Sequence, residues 1–76
     1  MHVIIIIDRQ GQIVSVNRSL ESVAHFLAGQ GEDPVLPNGS EYSIENLEMA
    51  LRANPKIEIS YKVGDALRVE YHAVFV

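Results

Sequence analysis

The fold is most constrained by an uninterrupted run of five β-branched residues near the start of the chain, Val-Ile-Ile-Ile-Ile at residues 3–7. β-Branched residues favour strands. A strand with one solvated face should alternate apolar and polar residues, and this run does not. We therefore expect a strand that is apolar on both faces and lies in the centre of a sheet. The question it raises is what covers the second face in a chain of 76 residues.

The composition bears on the cellular compartment of the protein. The chain has no cysteine, which excludes disulfides and cysteine-based zinc sites and suits a reducing compartment. Its longest apolar run is far shorter than the ~18 residues needed to span a membrane, and the start lacks a signal-peptide pattern. We expect a single domain over residues 1–76, the complete product of a small gene, located in the cytoplasm of a bacterial cell, which is the host cell if a phage encodes it.

The N-terminal half is expected to hold a hairpin and two helices. Residues 2–7 and residues 13–16 form the hairpin, and Gly11 takes the left-handed position that closes a three-residue loop. Asn17 or Ser19 caps the first helix, which ends at Gly29. The second helix is capped by Ser43 and stops at Asn54-Pro55, and the stretch between the helices is a loop. The apolar stripes are Leu20, Val23, Ala24 and Leu27 in the first helix and Ile44, Leu47, Ala50 and Leu51 in the second.

The C-terminal third is expected to form a second hairpin of two alternating strands. The apolar set is Ile57, Ile59, Tyr61, Val63, Leu67, Val69, Tyr71, Ala73 and Phe75. Both halves of this set share one face only if the connecting loop has an odd length. The pattern therefore predicts a three-residue loop at residues 64–66, with Val63 opposite Leu67 and Tyr61 opposite Val69.

These elements predict a two-layer α+β domain of order ββααββ. The four-stranded antiparallel sheet has the order 2-1-4-3, with both helices on one face and the lysine-bearing third strand at an edge. The other face exposes either Val3, Ile5 and Ile7 or Ile4 and Ile6, together with Val74 and Val76. Because monomers rarely leave a large apolar patch bare, we predict a homodimer or a partner protein there. The predicted oligomer interface is Val3, Ile5, Ile7, Val74 and Val76; the alternative is a tolerated half-apolar face.

Charge is distributed unevenly along the chain, whose net charge is −4. Residues 19–51 contain six acids and no lysine or arginine, while the flanks carry four acids and six bases. This asymmetry predicts a docking face for a basic protein surface; the alternative is ordinary solvated helix surface. The predicted partner-binding residues are Glu21, Glu32, Asp33, Glu41, Glu45, Glu48 and Met49. Met49 is expected to point outward as an anchor, or alternatively to fill a gap under the loop.

No arrangement in the sequence indicates catalysis, a cofactor or a metal. Ser19, Ser22 and His25 are expected on an exposed helix surface, and Glu45 and Glu48 lie one helical turn apart in solvent. The three histidines, His2, His25 and His72, lack metal-ligand spacing, although a zinc site shared between subunits is an alternative. Direct nucleic-acid binding is disfavoured, because Glu58 and Glu70 interrupt the basic row of Lys56, Lys62, Arg68 and His72, and the aromatic residues belong to the core.

In size, acidity and lack of cysteine the chain resembles the small accessory proteins of bacteriophages, which bind and inhibit host enzymes or defence systems. The resemblance and the charge pattern imply a non-enzymatic protein-binding module, of the kind of a phage inhibitor, with an acidic helical face against a basic partner. The alternative is a homo-oligomeric structural or assembly protein that works through its apolar sheet face. An enzyme with a site shared between subunits is a third reading, which no spacing supports.

Overall fold

Strands β1 (Ile4–Ile7) and β4 (Ala66–Phe75) form the centre of an antiparallel sheet in the computed structural model, which describes residues 3–76. Strands β2 (Ile13–Asn17) and β3 (Lys56–Val63) lie at the edges, so the order 2-1-4-3 is confirmed. Helices α1 (Leu20–Ala28) and α2 (Ile44–Ala53) supply the second layer of the α+β fold, and a short 3₁₀ helix, Pro37–Gly39, lies between them. The predicted start of the first strand at His2 lies outside the described residues.

The first hairpin closes as predicted. Gly11 has a φ of +83°, a left-handed conformation that is open to glycine at low cost, and its N–H donates to the carbonyl of Asp8. The Asp8 carboxylate also accepts the N–H groups of Gln10 and Gln12, each at 2.9 Å. The loop is therefore held by one side chain, which satisfies the backbone donors that the turn leaves unpaired.

Both helices begin at serine caps. Ser19 Oγ accepts the N–H of Ser22 at 3.1 Å, and Ser43 Oγ accepts the N–H of Asn46 at 3.0 Å. Helix α2 stops at Asn54, ahead of the proline, as predicted. The inward stripes are largely confirmed, because Val23, Leu27, Leu47 and Leu51 are buried. Ile44 departs from its predicted place, since it is 40% exposed at the start of α2.

The second hairpin differs from the prediction at its turn. Val63 pairs with Ala66 and Tyr61 with Arg68, so the loop has two residues rather than three. Gly64 has a φ of +65°, and glycine at the first central position is typical of the II′ turn that matches strand twist. A register shift beyond Tyr61 restores the predicted pairing, with Ile59 opposite Tyr71. The predicted odd offset between the strands is thus provided by a β-bulge within β4, rather than by the loop.

The bulge changes which residues of β4 reach the core. Glu70 is the extra residue, because Ile59 pairs with Tyr71 while Ser60 pairs with Val69. Leu67 and Val69 therefore point away from the helices, and their predicted place in the core is wrong. Phe75 lies on the helix side but is 36% exposed.

One core residue comes from the connection between the helices. Leu36 is only 2% exposed, although the Gly- and Pro-rich composition around it predicted a plain loop. Its neighbour Val35 bridges to Ser60 of β3, which draws the connection against the sheet. The buried residues that form the core cluster are Ile4, Ile6, Val23, Leu27, Leu36, Leu47, Leu51, Ile57, Ile59, Tyr61 and Ala73.

Candidate protein-interaction surfaces

The side of the sheet that faces away from the helices is apolar over most of its width. Ile4 and Ile6 are buried under the helices, so the intervening residues of β1 point to the opposite side. Their strand partners continue this side across β2 and β4. We call it the outer sheet surface; its apolar members are Val3, Ile5, Ile7, Ile13, Val16, Leu67, Val69, Val74 and Val76.

These residues retain much of their solvent exposure. Val16 and Val76 are each 64% exposed and Leu67 is 57% exposed, while Val3, Ile5, Ile7 and Val74 are partly buried by their neighbours. All five residues predicted for the oligomer interface lie on this surface. Sequence reasoning missed Ile13, Val16, Leu67 and Val69. The available signal for Leu67 and Val69 was the Gly64-Asp65 pair, which favours a two-residue turn and so requires a bulge to keep the core together.

On the outer side of the sheet, the charged strand residues lie along one edge, on strand β3. Lys56, Glu58 and Lys62 of edge strand β3 are exposed, as predicted for a protected edge. Arg68 does not join them, because it is opposite Tyr61 beyond the bulge and so points to the helix side, where it pairs with Glu70. The row of basic residues considered for nucleic acid is therefore split between the two sides of the sheet.

The six predicted carboxylates are all exposed on the helical side of the chain. Glu21 lies in the first turn of α1, and Glu45 in the first turn of α2, where the helix dipole favours negative charge. Glu48 forms a 3.5 Å ion pair with Arg52 one turn further along. We call this set the acidic helical surface: Glu21, Glu32, Asp33, Glu41, Glu45 and Glu48.

Met49 lies beside the acidic helical surface. Its side chain is 65% exposed, which agrees with the predicted outward direction. It lines an open cleft of about 470 Å³ between α2, the 3₁₀ helix and the start of β3, together with residues such as Pro37 and Lys56. The thioether is therefore accessible to a partner from the same side as Glu45 and Glu48.

The aromatic side chains belong to the helix side of the sheet. Tyr61 is buried and donates from its hydroxyl to the carbonyl of Leu27 at 3.0 Å, and burial together with Tyr71 raises its pKa. Tyr71 packs edge-on against Phe26, with ring centroids 5.7 Å apart. Burial, and then the charge of Asp33, raise the pKa of Tyr42. None of these rings lies on the outer sheet surface, where base stacking would need them.

The hydroxyl groups near His25 take part in structural hydrogen bonds. Ser19 Oγ caps α1, and Ser22 Oγ donates to Asn17 Oδ1 at 2.7 Å. Within residues 3–76, no group of three histidine, cysteine, aspartate or glutamate side chains could hold a metal ion; His2 lies outside that range. No helix in the same stretch has the length and apolar character to cross a membrane.

Comparisons with protein-family models, with curated proteins and with solved structures find no match to this chain. Functional inference therefore depends on the two surfaces described above. They have different chemistry: one is apolar and built on strands, and the other carries exposed carboxylates on the helices and their connection.

Proposed function

We propose that this protein is a non-enzymatic protein-binding module that dimerises through the outer sheet surface and presents its acidic helical surface to a basic protein. The observation that supports the proposal is the division of the molecule into an apolar side and a carboxylate-bearing side. Each side has the composition of one kind of protein contact, and neither needs a bound cofactor. We place its action in the cytoplasm, which suits a chain without cysteine.

A second copy is the occupant that the outer sheet surface fits. The four strands have 4, 5, 8 and 10 residues. At ~3.3 Å per residue and a strand spacing of ~4.8 Å they present a projected area of roughly 430 Å². Side chains make the accessible area larger than the projection, so the surface approaches the ~800 Å² per partner of a stable interface. The apolar residues lie over β1, β2 and β4, so sheets packed face to face would cover them and leave the charged strand β3 at the rim.

This packing places the acidic helical surface of each copy on the outside. Carboxylates that are remote from the dimer contact repel each other little, and they attract a basic surface over a distance of about one Debye length. Such attraction raises the rate of association more than it raises affinity. If the partner handles nucleic acid, an acidic dimer would cover its basic groove, which is how a phage-type inhibitor would act.

The dimer is tested by the mass of the protein in solution. In dilute protein we expect light scattering to give twice the 8.4 kDa mass of the chain, and Ile5→Lys to give the single-chain mass, because it places a lysine within the outer sheet surface. Ile44→Lys is the matched control, since Ile44 is a partly exposed isoleucine on α2; it should remain dimeric. A wild-type monomer at high concentration would refute the dimer.

The acidic helical surface is tested with a lysine-rich peptide as the probe. Glu45→Lys combined with Glu48→Lys should abolish binding while the dimer mass stays unchanged, and added salt should weaken binding to the wild type. The double variant Glu58→Lys/Asp65→Lys makes the same change of charge outside this surface and should bind normally. Binding that ignores salt, or that both double variants weaken equally, would contradict the proposed surface.

A structural role is the second candidate, favoured by the outer sheet surface alone. In that case self-association would be the whole function, and the acidic helical surface would only keep the assembly in solution. The charge reversal at Glu45 and Glu48 separates the two candidates, because it would then leave every activity of the assembly intact.

A further inference from the structure

The backbone of edge strand β2 has hydrogen-bonding groups directed away from the sheet. Val3 and Val76 exchange both of their N–H···O bonds, at 3.1 and 2.8 Å, so alternate residues of β1 bond to β4. The intervening residues, Ile4 and Ile6, therefore bond to β2, through Asn17 and Ser15. The N–H and C=O of the residue between them, Val16, point to the open edge.

At the opposite edge, on strand β3, outward backbone N–H and C=O groups are hydrogen-bonded by another segment of the chain. Ser60 of β3 occupies the equivalent outward position, and Val35 occupies both of its groups, with N···O distances of 2.7 and 3.2 Å. The rest of β3 carries Lys56, Glu58 and Lys62, and charged side chains discourage pairing at an edge. Strand β2 has neither protection, since Ile13–Asn17 contains no charge and no residue within 3–76 pairs with it beyond β1.

We propose that β2 pairs antiparallel with β2 of a second copy, about a two-fold axis that passes beside Val16. The contact goes beyond the face-to-face dimer and is separate from it. Val16 of each copy would exchange both backbone hydrogen bonds with its symmetry mate, which is the pairing that its outward N–H and C=O allow. The two sheets would join into one sheet of eight strands, and their outer sheet surfaces would become continuous.

Charge and symmetry favour a second copy over an unrelated strand. A neutral strand gives no attraction to a charged partner strand, but it lets identical strands face each other without repulsion. With Val16 on the axis, Arg18 is opposite Val14, so the two Arg18 residues are about 13 Å apart along the strands and are largely screened. The cross-strand pair at the axis is then valine on valine, 64% exposed in the single chain, which suits a β-branched contact.

The paired segment is short. The bulge at Val14 breaks the regular strand, since Ser15 pairs with Ile6 while Ile13 pairs with Ile7. Bulges also limit pairing at edges, so the regular contact covers little more than residues 15–17. We therefore expect the edge contact to be weaker than the contact between outer sheet surfaces and to depend on concentration.

A single cysteine provides a direct test, because the chain has none of its own. Facing residues in a hydrogen-bonded antiparallel pair have Cα atoms ~5.5 Å apart, within reach of a disulfide. Sheets packed face to face are about 10 Å apart, which is beyond that reach. Val16→Cys should therefore form a covalent dimer under mild oxidation, at least tenfold faster than the matched control Val63→Cys on the opposite edge strand.

Two further measurements do not depend on the disulfide. The Val16 amide should exchange with solvent at least tenfold more slowly in concentrated than in dilute protein, whereas the Ser60 amide, which bonds to Val35, should be protected at both concentrations. Val16→Pro removes the outward N–H without removing a hydrogen bond to β1. It should halve the mass of the largest assembly, while Ile5→Lys tests the face contact separately. The proposal is overturned if Val16→Cys cross-links no faster than Val63→Cys, or if the Val16 amide exchanges freely at high concentration, even where the loss of mass in Ile5→Lys still supports the face-to-face dimer.

Discussion

Ser22 Oγ donates a 2.7 Å hydrogen bond to Oδ1 of Asn17, and this bond joins helix α1 to edge strand β2. Asn17 is a buried polar residue and is only 3% exposed. Its Nδ2 donates to the carbonyl of Ile4 and to Oγ of Ser15. The amide is thus satisfied at both ends, which is the condition for burying it without a large penalty. It ties β1, β2 and α1 together at the point where the chain leaves the first hairpin.

Substitutions that break this bond should destabilise the fold, and the effects of substituting Ser22 and Asn17 should not be additive. Ser22→Ala leaves the buried Oδ1 of Asn17 without a donor, so we expect the free energy of unfolding to fall by about 1–3 kcal/mol. Asn17→Ala should cost about as much. The double variant should lose less than the sum of the two, because each single substitution already breaks the same bond between Ser22 and Asn17. Urea unfolding of the four proteins measures this, and strictly additive losses would show that the bond contributes nothing to stability.

Alanine should destabilise the protein strongly at Leu36 and hardly at all at Leu67. Leu36→Ala opens a cavity under the connection between the helices and should lower the free energy of unfolding by about 2–5 kcal/mol. Leu67→Ala should change it by no more than about 0.5 kcal/mol in the single chain, because Leu67 is on the outer sheet surface. Both are measured in the Ile5→Lys background, which removes the proposed dimer contact. A large loss at Leu67 in that background would place its side chain in the core.

Two glycines should respond differently to alanine. Gly64→Ala forces a side chain into the left-handed region at φ +65° and should destabilise the protein by about 1 kcal/mol. Gly29 has a φ of −70°, and an added Cβ would contact the carbonyl oxygens of Phe26 and His25 at ordinary distances. Gly29→Ala should therefore stabilise by about 0.4–1 kcal/mol, because it restricts the unfolded chain. Thermal melts of the two variants check the signs, and equal effects would contradict the two backbone conformations.

Tyr61 should make the fold sensitive to alkali. Its folded pKa lies above the ordinary value of 10.0, so its contribution to stability is complete below pH 10 and is lost as the pH rises towards the folded pKa. Above pH 10 we expect the free energy of unfolding to fall by up to about 1.4 kcal/mol per pH unit from this residue. Tyr61→Phe should flatten that slope while costing about 1 kcal/mol at neutral pH, through the lost bond to Leu27. Identical slopes for the two proteins above pH 10 would rule out the assignment.

Local patterns were sufficient for most of the architecture. The run at residues 3–7, the serine caps and the Asn54-Pro55 stop depend on neighbours within a few positions, and each predicted its element correctly. The order of the strands followed from the same patterns, because only a central strand can be apolar on both faces. The exposure of Met49 also followed from helical period, and that of the six acids from their charge.

Contacts between distant segments decided the rest. The Gly64-Asp65 pair favours a two-residue turn, but the sequence could not place the compensating bulge at Glu70. A two-residue turn with a bulge and a three-residue loop give Tyr71 and Ala73 the same positions. Nor could the sequence show that Leu36 enters the core, since a buried leucine in a loop needs an element elsewhere to hold it, here Ser60 of β3. The outer sheet surface and the open edge at Val16 are products of strand pairing, which only the tertiary structure determines.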